Sequence, residues 1–163
     1  MRIRITAIAL AQLMAAPIFA AVSTANLNVT ASVGASCTIT TLAVAFGSYD
    51  PVGANLSAPL SGTGTVTVSC TRGAAATIDL GNGSNFGSAS RRMSSGSDFL
   101  GYGLYKDSAR TQVWGSGMAG GTMTSYFALT KGATAFTVYG GVPQTQDVSV
   151  GSYSDSIVAT INY

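Results

Sequence analysis

The stretch that decides the fold is residues 65–80, TVTVSCTRGAAATIDL. Val66, Val68 and Cys70 alternate with Thr or Ser, and after the Arg72-Gly73 turn the apolar side chains recur at every second position up to Leu80. A period of two predicts strands that each turn one face toward a core. Helix formers are scarce outside this stretch as well, because the chain has no Glu and only 9% charged residues. We therefore predict an all-β fold.

Further short segments with strand character lie between Gly- and Ser-rich turns, as expected for a sandwich. They are residues 37–45, 102–106, 112–114, 126–129, 135–142 and 156–163. Residues 62–66, GTGTV, look like a turn. Residues 81–96 combine many turn residues with almost no periodic apolar signal, which predicts an exposed loop. Within that loop we interpret Arg91 and Arg92 as solubilising side chains.

The N-terminus has the organisation of a secretory signal peptide. Arg2 and Arg4 precede an apolar run over residues 5–16, and small residues follow at Ala20 and Ala21. The run is shorter than the roughly 20 residues of a spanning helix, so we expect residues 1–20 to be cleaved and the mature chain not to insert into a membrane. We expect residues 21–36 to be a separate extension and residues 37–163 to be one domain.

The mature chain offers little for catalysis or for nucleic acid. It has no His and no Glu, so common general bases and metal ligands are missing, and we expect no enzymatic activity, cofactor or metal. Six basic residues stand against six Asp without clustering, which argues against phosphate backbones as partners. The aromatic side chains, Trp114 among them, fit a sandwich core better than a ligand cleft.

Cys37 and Cys70 are the only cysteines. In an exported chain they predict one disulfide, since the compartment beyond the inner membrane is oxidising. Closing a loop of this length stabilises the fold by about 4 kcal/mol in the chain-entropy account. The extension before them also alternates, with Ala25, Leu27, Val29, Ala31 and Val33 forming one apolar row. We predict a strand there.

Five segments together resemble the spore coat protein U domain family, which includes the major pilins of archaic chaperone-usher pili. They are VGASCTIT at residues 33–40, VTVSC at 66–70, YGLYKDSARTQVW at 102–114, VYGGVP at 138–143 and GSYSDSIVATINY at 151–163. The resemblance implies an incomplete immunoglobulin-like β-sandwich that lacks its last strand. Residues 156–163 would then border an open acceptor groove through Ile157, Ala159, Ile161 and Tyr163.

The same resemblance implies a function. The apolar row of the extension would be a donor strand that fills the groove of a neighbouring copy, after a periplasmic chaperone has held it and an outer-membrane usher has exported it. The product would be a homopolymer, with other pilus subunits, at the cell surface, supporting adhesion and biofilm formation. Two alternatives stay open: a secreted monomeric binding module whose extension completes its own sandwich, and a spore or cell coat protein.

Overall fold

The computed structural model describes residues 18–163, so the predicted signal peptide lies almost wholly outside the described residues. The chain divides after Ser32 into two compact units. In the first unit, residues 18–32 carry no helix or strand, and their side chains are exposed. The predicted strand over residues 21–36 is therefore absent from the single chain. A strand needs a second strand for its backbone hydrogen bonds, and this segment has none.

The second unit, residues 33–163, is a sandwich of two antiparallel sheets. Its described elements are β1 (Cys37–Leu42), α1 (Ala54–Ser57), β2 (Leu60–Cys70), β3 (Ala75–Leu80), β4 (Arg91–Ser95), β5 (Asp98–Tyr105), β6 (Thr124–Phe127), β7 (Thr134–Val142) and β8 (Ala159–Asn162). The larger sheet has the order β1-β2-β7-β5-β4, and the smaller has the order β6-β3-β8. The prediction of an all-β, immunoglobulin-like sandwich is confirmed.

The core consists of the inward rows of both sheets, as the alternation predicts. Val66 and Val68 of β2 face Ile78 and Leu80 of β3, and Trp114 fills the space between them. The Trp114 indole donates a hydrogen bond to the Ile78 carbonyl at 3.1 Å, which satisfies its one polar atom. The interpretation of Trp114 as a core residue is confirmed.

The predicted disulfide is confirmed, since Cys37 is bonded to Cys70. The two cysteines are also cross-strand partners at one end of the β1–β2 ladder. The bond therefore fastens the edge strand β1 to the larger sheet at the point where the chain enters the domain.

Two predictions about local structure are wrong. The GTGTV stretch is not a turn, because β2 begins at Leu60 and pairs with β7 through Gly62 and Gly64. Residues 81–96 are not an exposed loop throughout, because residues 91–95 form β4 and pair with β5. In both places the inward positions hold Gly or Arg, which conceal the apolar alternation that marks a strand.

Several predicted strand bounds also change. The strand predicted at residues 112–114 is reduced to isolated bridges that join Val113 to Tyr105 and Trp114 to Thr122. β1 ends at Leu42 and not at residue 45, and β8 covers only Ala159–Asn162 of the predicted residues 156–163.

Candidate functional site

The site lies where the two sheets present unpaired edges side by side. β8 pairs with β3 on one side only, and β1 pairs with β2 on one side only. Some Cα atoms of β1 and β8 lie within 8 Å of each other, yet no hydrogen-bonded ladder joins the two strands within residues 18–163. Both strands thus keep a row of backbone donors and acceptors free for another strand.

A cleft of about 310 Å³ opens between these edges. Its walls are mostly apolar and come from both sheets, from the chain after β1 and from the chain leading into β8. They include Leu42, Val44, Phe46, Val66, Leu80, Met93, Leu104, Val138, Ile157 and Ala159. A second cleft of about 650 Å³ adjoins it and shares Val44, Phe46, Met93 and Tyr153. We call the two clefts together the furrow; its first part is mostly apolar, and its second part is also lined by Ser48, Ser149 and Ser152.

An inserted strand would require the edges to move apart at one end. Adjacent strands lie about 4.8 Å apart, so a strand between β1 and β8 needs its two neighbours about 9.6 Å from each other. The approach of β1 and β8 to within 8 Å is closer than that. Where β1 and β8 approach each other, the gap between them is thus narrower than an inserted strand requires.

The four predicted edge residues fall into two groups. Ile157 and Ala159 line the 310 Å³ cleft with half-buried side chains. Ile161 also points inward, but it packs beside the disulfide and Ala128. Tyr163 is exposed and borders a shallow depression on the outer face of the smaller sheet, with Phe127. Only the first two therefore lie in the cleft.

The five predicted donor residues, Ala25, Leu27, Val29, Ala31 and Val33, all have exposed side chains. Leu27 and Val29 are 87% and 86% exposed. Large apolar side chains are seldom exposed in such a row on a folded protein.

The floor of the furrow depends on glycines that the sequence patterns did not single out. Gly62, Gly64 and Gly140 face inward, and Val44 and Phe46 cover them. A Cβ on Gly64 would lie 2.7 Å from the Leu42 carbonyl oxygen and from Val44 Cγ2. The glycines therefore let the chain after β1 cross the inner face of β2 at close range, which places Val44 and Phe46 in the wall.

One polar contact lies in the wall of the cleft. The Tyr102 hydroxyl donates a 2.7 Å hydrogen bond to Asp155 Oδ2, and Asp155 Oδ1 accepts two more from the amide and side chain of Asn85. Burial, together with this hydrogen bond, raises the pKa of Tyr102 above its usual value. Tyr102 therefore stays a protonated donor at physiological pH, and the pair fixes the chain before β8 against β5.

Arg91 is not a solubilising side chain, because it is fully buried. Its guanidinium donates hydrogen bonds to the carbonyl oxygens of Leu80, Gly81 and Trp114 at 2.6 to 2.9 Å. Desolvation lowers the pKa of Arg91 from its ordinary value, yet a guanidinium remains protonated. Arg91 thus links β4 of the larger sheet to the end of β3 in the smaller one.

No group of three or more potential metal-ligating side chains occurs within residues 18–163. The helix of the described residues is too short to cross a membrane.

The family model of the Spore Coat Protein U domain matches residues 23–160, which is most of the chain. The chain belongs to this family. A relative of this chain is Protein U of Myxococcus xanthus, 41% identical over 161 residues that cover 90% of this chain and 88% of the relative.

A solved structure with the same fold is the chaperone–tip adhesion subunit pre-assembly complex CsuC–CsuE from the archaic chaperone-usher Csu pili of Acinetobacter baumannii. The match has a TM-score of 0.55 and 21% identity, and it covers 79% of this chain. The chain spans only 40% of the length of that matched chain. At this identity the likeness shows a shared fold alone.

Proposed function

We propose that this protein is a structural subunit of a cell-surface fibre, a pilus, built by a chaperone-usher pathway through donor-strand exchange. The observation that carries the proposal is an apolar furrow between two unpaired sheet edges in a chain that also displays an exposed row of alternating apolar side chains. A furrow of this kind is complementary to such a row. Strand addition to an open edge is also how chaperones recognise pilins.

The dimensions agree with an exchange between copies. Nine residues from Ala25 to Val33 span about 30 Å when extended, and every second side chain points the same way. Burying Leu27, Val29 and Val33 contributes on the order of 5 kcal/mol by transfer from water. New backbone hydrogen bonds to β8 add to this and satisfy the free edge.

The contact is head-to-tail, so each copy offers one segment and accepts another, and the assembly grows into a fibre. We infer that residues 1–20 direct export, that residues 21–36 are the donor segment and that residues 37–163 are the acceptor domain. A periplasmic chaperone would occupy the furrow first, and an outer-membrane usher would then release the growing fibre at the surface. Adhesion and biofilm formation would be properties of the fibre.

Substitution of the donor row tests the proposal. Leu27→Asp together with Val29→Asp should abolish surface fibres, because two carboxylates would have to enter an apolar furrow. The matched control is Asn28→Asp with Thr30→Asp, which places the same charges on the opposite face of the same segment. Fibres should persist in the control. Electron microscopy of cells that carry the whole secretion system gives the readout, and normal fibres from the first variant would refute donor-strand exchange.

A coat protein is the second candidate function, and the description of the family favours it. The two functions differ in the form of the assembly. Immunogold labelling of thin fibres that leave the cell supports a pilus, whereas an even layer over the cell or spore surface supports a coat.

A further inference from the structure

The two ends of the domain carry opposite charges. At one end, residues 71–74 and 128–133 form what we call the basic tip. Two hydrogen bonds join these segments, from the Gly73 amide to the Ala128 carbonyl at 2.8 Å and from the Ala128 amide to the Ala74 carbonyl at 2.9 Å. Arg72 and Lys131 are exposed there, and the two segments contain no Asp. Leu129, two residues before Lys131, is 78% exposed.

At the other end, residues 50–58 and 143–150 form the acidic tip. The Thr145 amide donates to the Asn55 carbonyl at 3.0 Å and joins the two segments. Asp50 and Asp147 are exposed, and neither segment contains Lys or Arg. Asp98 adds a third carboxylate beside them, since its Oδ2 accepts from the Ser149 amide at 2.8 Å. Exposed apolar side chains accompany the charges: Val52, Leu56 and Val150.

The tips are too far apart to neutralise each other within one copy. The 11-residue strand β2 runs from Leu60, near the acidic tip, to Cys70, next to the basic tip. At about 3.3 Å per residue this separation is roughly 35 Å, several times the Debye length of about 8 Å at physiological salt. Each tip therefore presents its charge to a partner.

Strand direction indicates which partner each tip meets. β8 starts opposite Leu80 and ends opposite Thr77, so it runs toward the basic tip. A donor strand antiparallel to β8, like the strand pairs of both sheets, runs toward the acidic tip and delivers its own domain there. The extension leaves its domain at the basic tip, because the Ser36 carbonyl accepts from the Thr71 amide at 2.8 Å. The basic tip of one copy thus arrives at the acidic tip of the next.

We propose that the basic tip docks on the acidic tip of the neighbouring copy, as a second interface that sets the angle and stiffness of the fibre. This inference rests on the proposed head-to-tail function. The chemistry is an apolar centre, Leu129 against Val52 and Val150, with opposite charges around it. Such a polar rim fixes orientation more than affinity, and added salt weakens it.

A charge swap tests the docking in intact fibres sheared from cells. Lys131→Asp and Asp147→Lys each place like charges at the junction, so each should lower the persistence length of the fibre by about twofold at low salt. The chain carrying both substitutions restores opposite charges and should recover the original value. Lys131 and Asp147 are both exposed, which keeps effects on folding small. Lys106→Asp, outside both tips, is the control with the same change of net charge as Lys131→Asp, and it also removes the Lys106 hydrogen bonds to the Thr122 hydroxyl and the Met123 carbonyl.

The outcomes separate the two proposals. Recovery in the double variant, with little change in the control and a salt-dependent stiffness in the unsubstituted fibre, supports docking between the tips. Equal stiffness in all five fibres at every salt concentration overturns the docking and leaves donor-strand exchange intact. An unsubstituted chain that forms no fibres overturns the proposed function, and this inference falls with it.

Discussion

Arg91 shows how one side chain can join two sheets without an acidic partner within hydrogen-bond reach. Its bonds go to backbone carbonyl oxygens, which no substitution can remove. Replacing a buried ion pair by an apolar side chain is often harmless, because both charges disappear together. Here the acceptors would stay buried without donors, so the cost of losing Arg91 outweighs the gain from removing a buried charge.

We predict that Arg91→Met destabilises the domain by at least about 3 kcal/mol, since each buried carbonyl left without a donor costs about 1 to 3 kcal/mol. The neighbouring Arg92 is half-exposed, donates to the Asn85 carbonyl and lies 4.0 Å above the Phe99 ring. Arg92→Met is therefore the control and should cost less than about 1 kcal/mol. Urea unfolding of the purified mature chains measures both, and equal costs would show that Arg91 does not link the sheets.

At the scale of elements, the segment that follows β1 shapes the furrow, and glycines under it make the close approach possible. We predict that Gly64→Ala destabilises the domain by about 1 to 3 kcal/mol, because the new Cβ would meet backbone atoms of Leu42 and Val44 that cannot turn away. A Cβ on Gly34 would meet nothing within 4 Å, so Gly34→Ala serves as the control.

Thermal unfolding of the two glycine variants gives the comparison. A Gly64→Ala chain as stable as Gly34→Ala would mean that the segment over β2 is free to move. In that case the wall of the furrow formed by Val44 and Phe46 would not be fixed before a partner binds.

The strands that could be predicted from sequence are those with unbroken alternation. β3 and β7 were located almost to the residue, since their inward rows are apolar, as in Ala76, Ile78 and Leu80. β4 could not be recognised, because its inward residue, Arg91, is charged and gives no apolar signal. Arg91 is buried because it donates hydrogen bonds to the carbonyl oxygens of residues 80, 81 and 114, which are distant from it in sequence. The start of β2 was missed because Gly62 and Gly64 stand at its inward positions.

The candidate site was foreseen only in outline. Ile157 and Ala159 were placed at its edge through the family resemblance. The opposite wall comes from β2, β5, β7 and the chain after β1, and only tertiary packing brings these together. No local pattern reports which inward residues border an open edge and which border a closed one.

At the scale of the whole molecule, the titration behaviour is simple. The chain has no His and no Glu, so no side chain has an ordinary pKa between about 5 and 8. Hydrogen bonds from the hydroxyl and amide of Ser149 lower the pKa of Asp98. The pKa of Asp107 is lowered chiefly by the Gln112 amide, whose nitrogen donates to Asp107 Oδ1 at 2.7 Å.

A lowered pKa in the folded state stabilises the fold above the pKa of the unfolded state, and this contribution is lost as the pH falls through the folded value. We therefore predict that the free energy of unfolding is constant between about pH 5.5 and 8 and declines below about pH 4. Asp98→Asn with Asp107→Asn should flatten the acid decline. A midpoint that shifts markedly between pH 6 and 8 would contradict this assignment.

The central claim is that the extension of one copy fills the furrow of another, and disulfide trapping between two differently tagged chains tests it most directly. One chain carries Leu27→Cys, Val29→Cys or Ala31→Cys in turn, the other carries Ile157→Cys, and the native cysteines are already paired. Upon oxidation of the mixture we predict a cross-link between the two tags for at least one donor position. A third chain carries a donor substitution together with Ile157→Cys. If this chain cross-links within a monomer, and the mixture of the two tagged chains gives no cross-link, the account is contradicted.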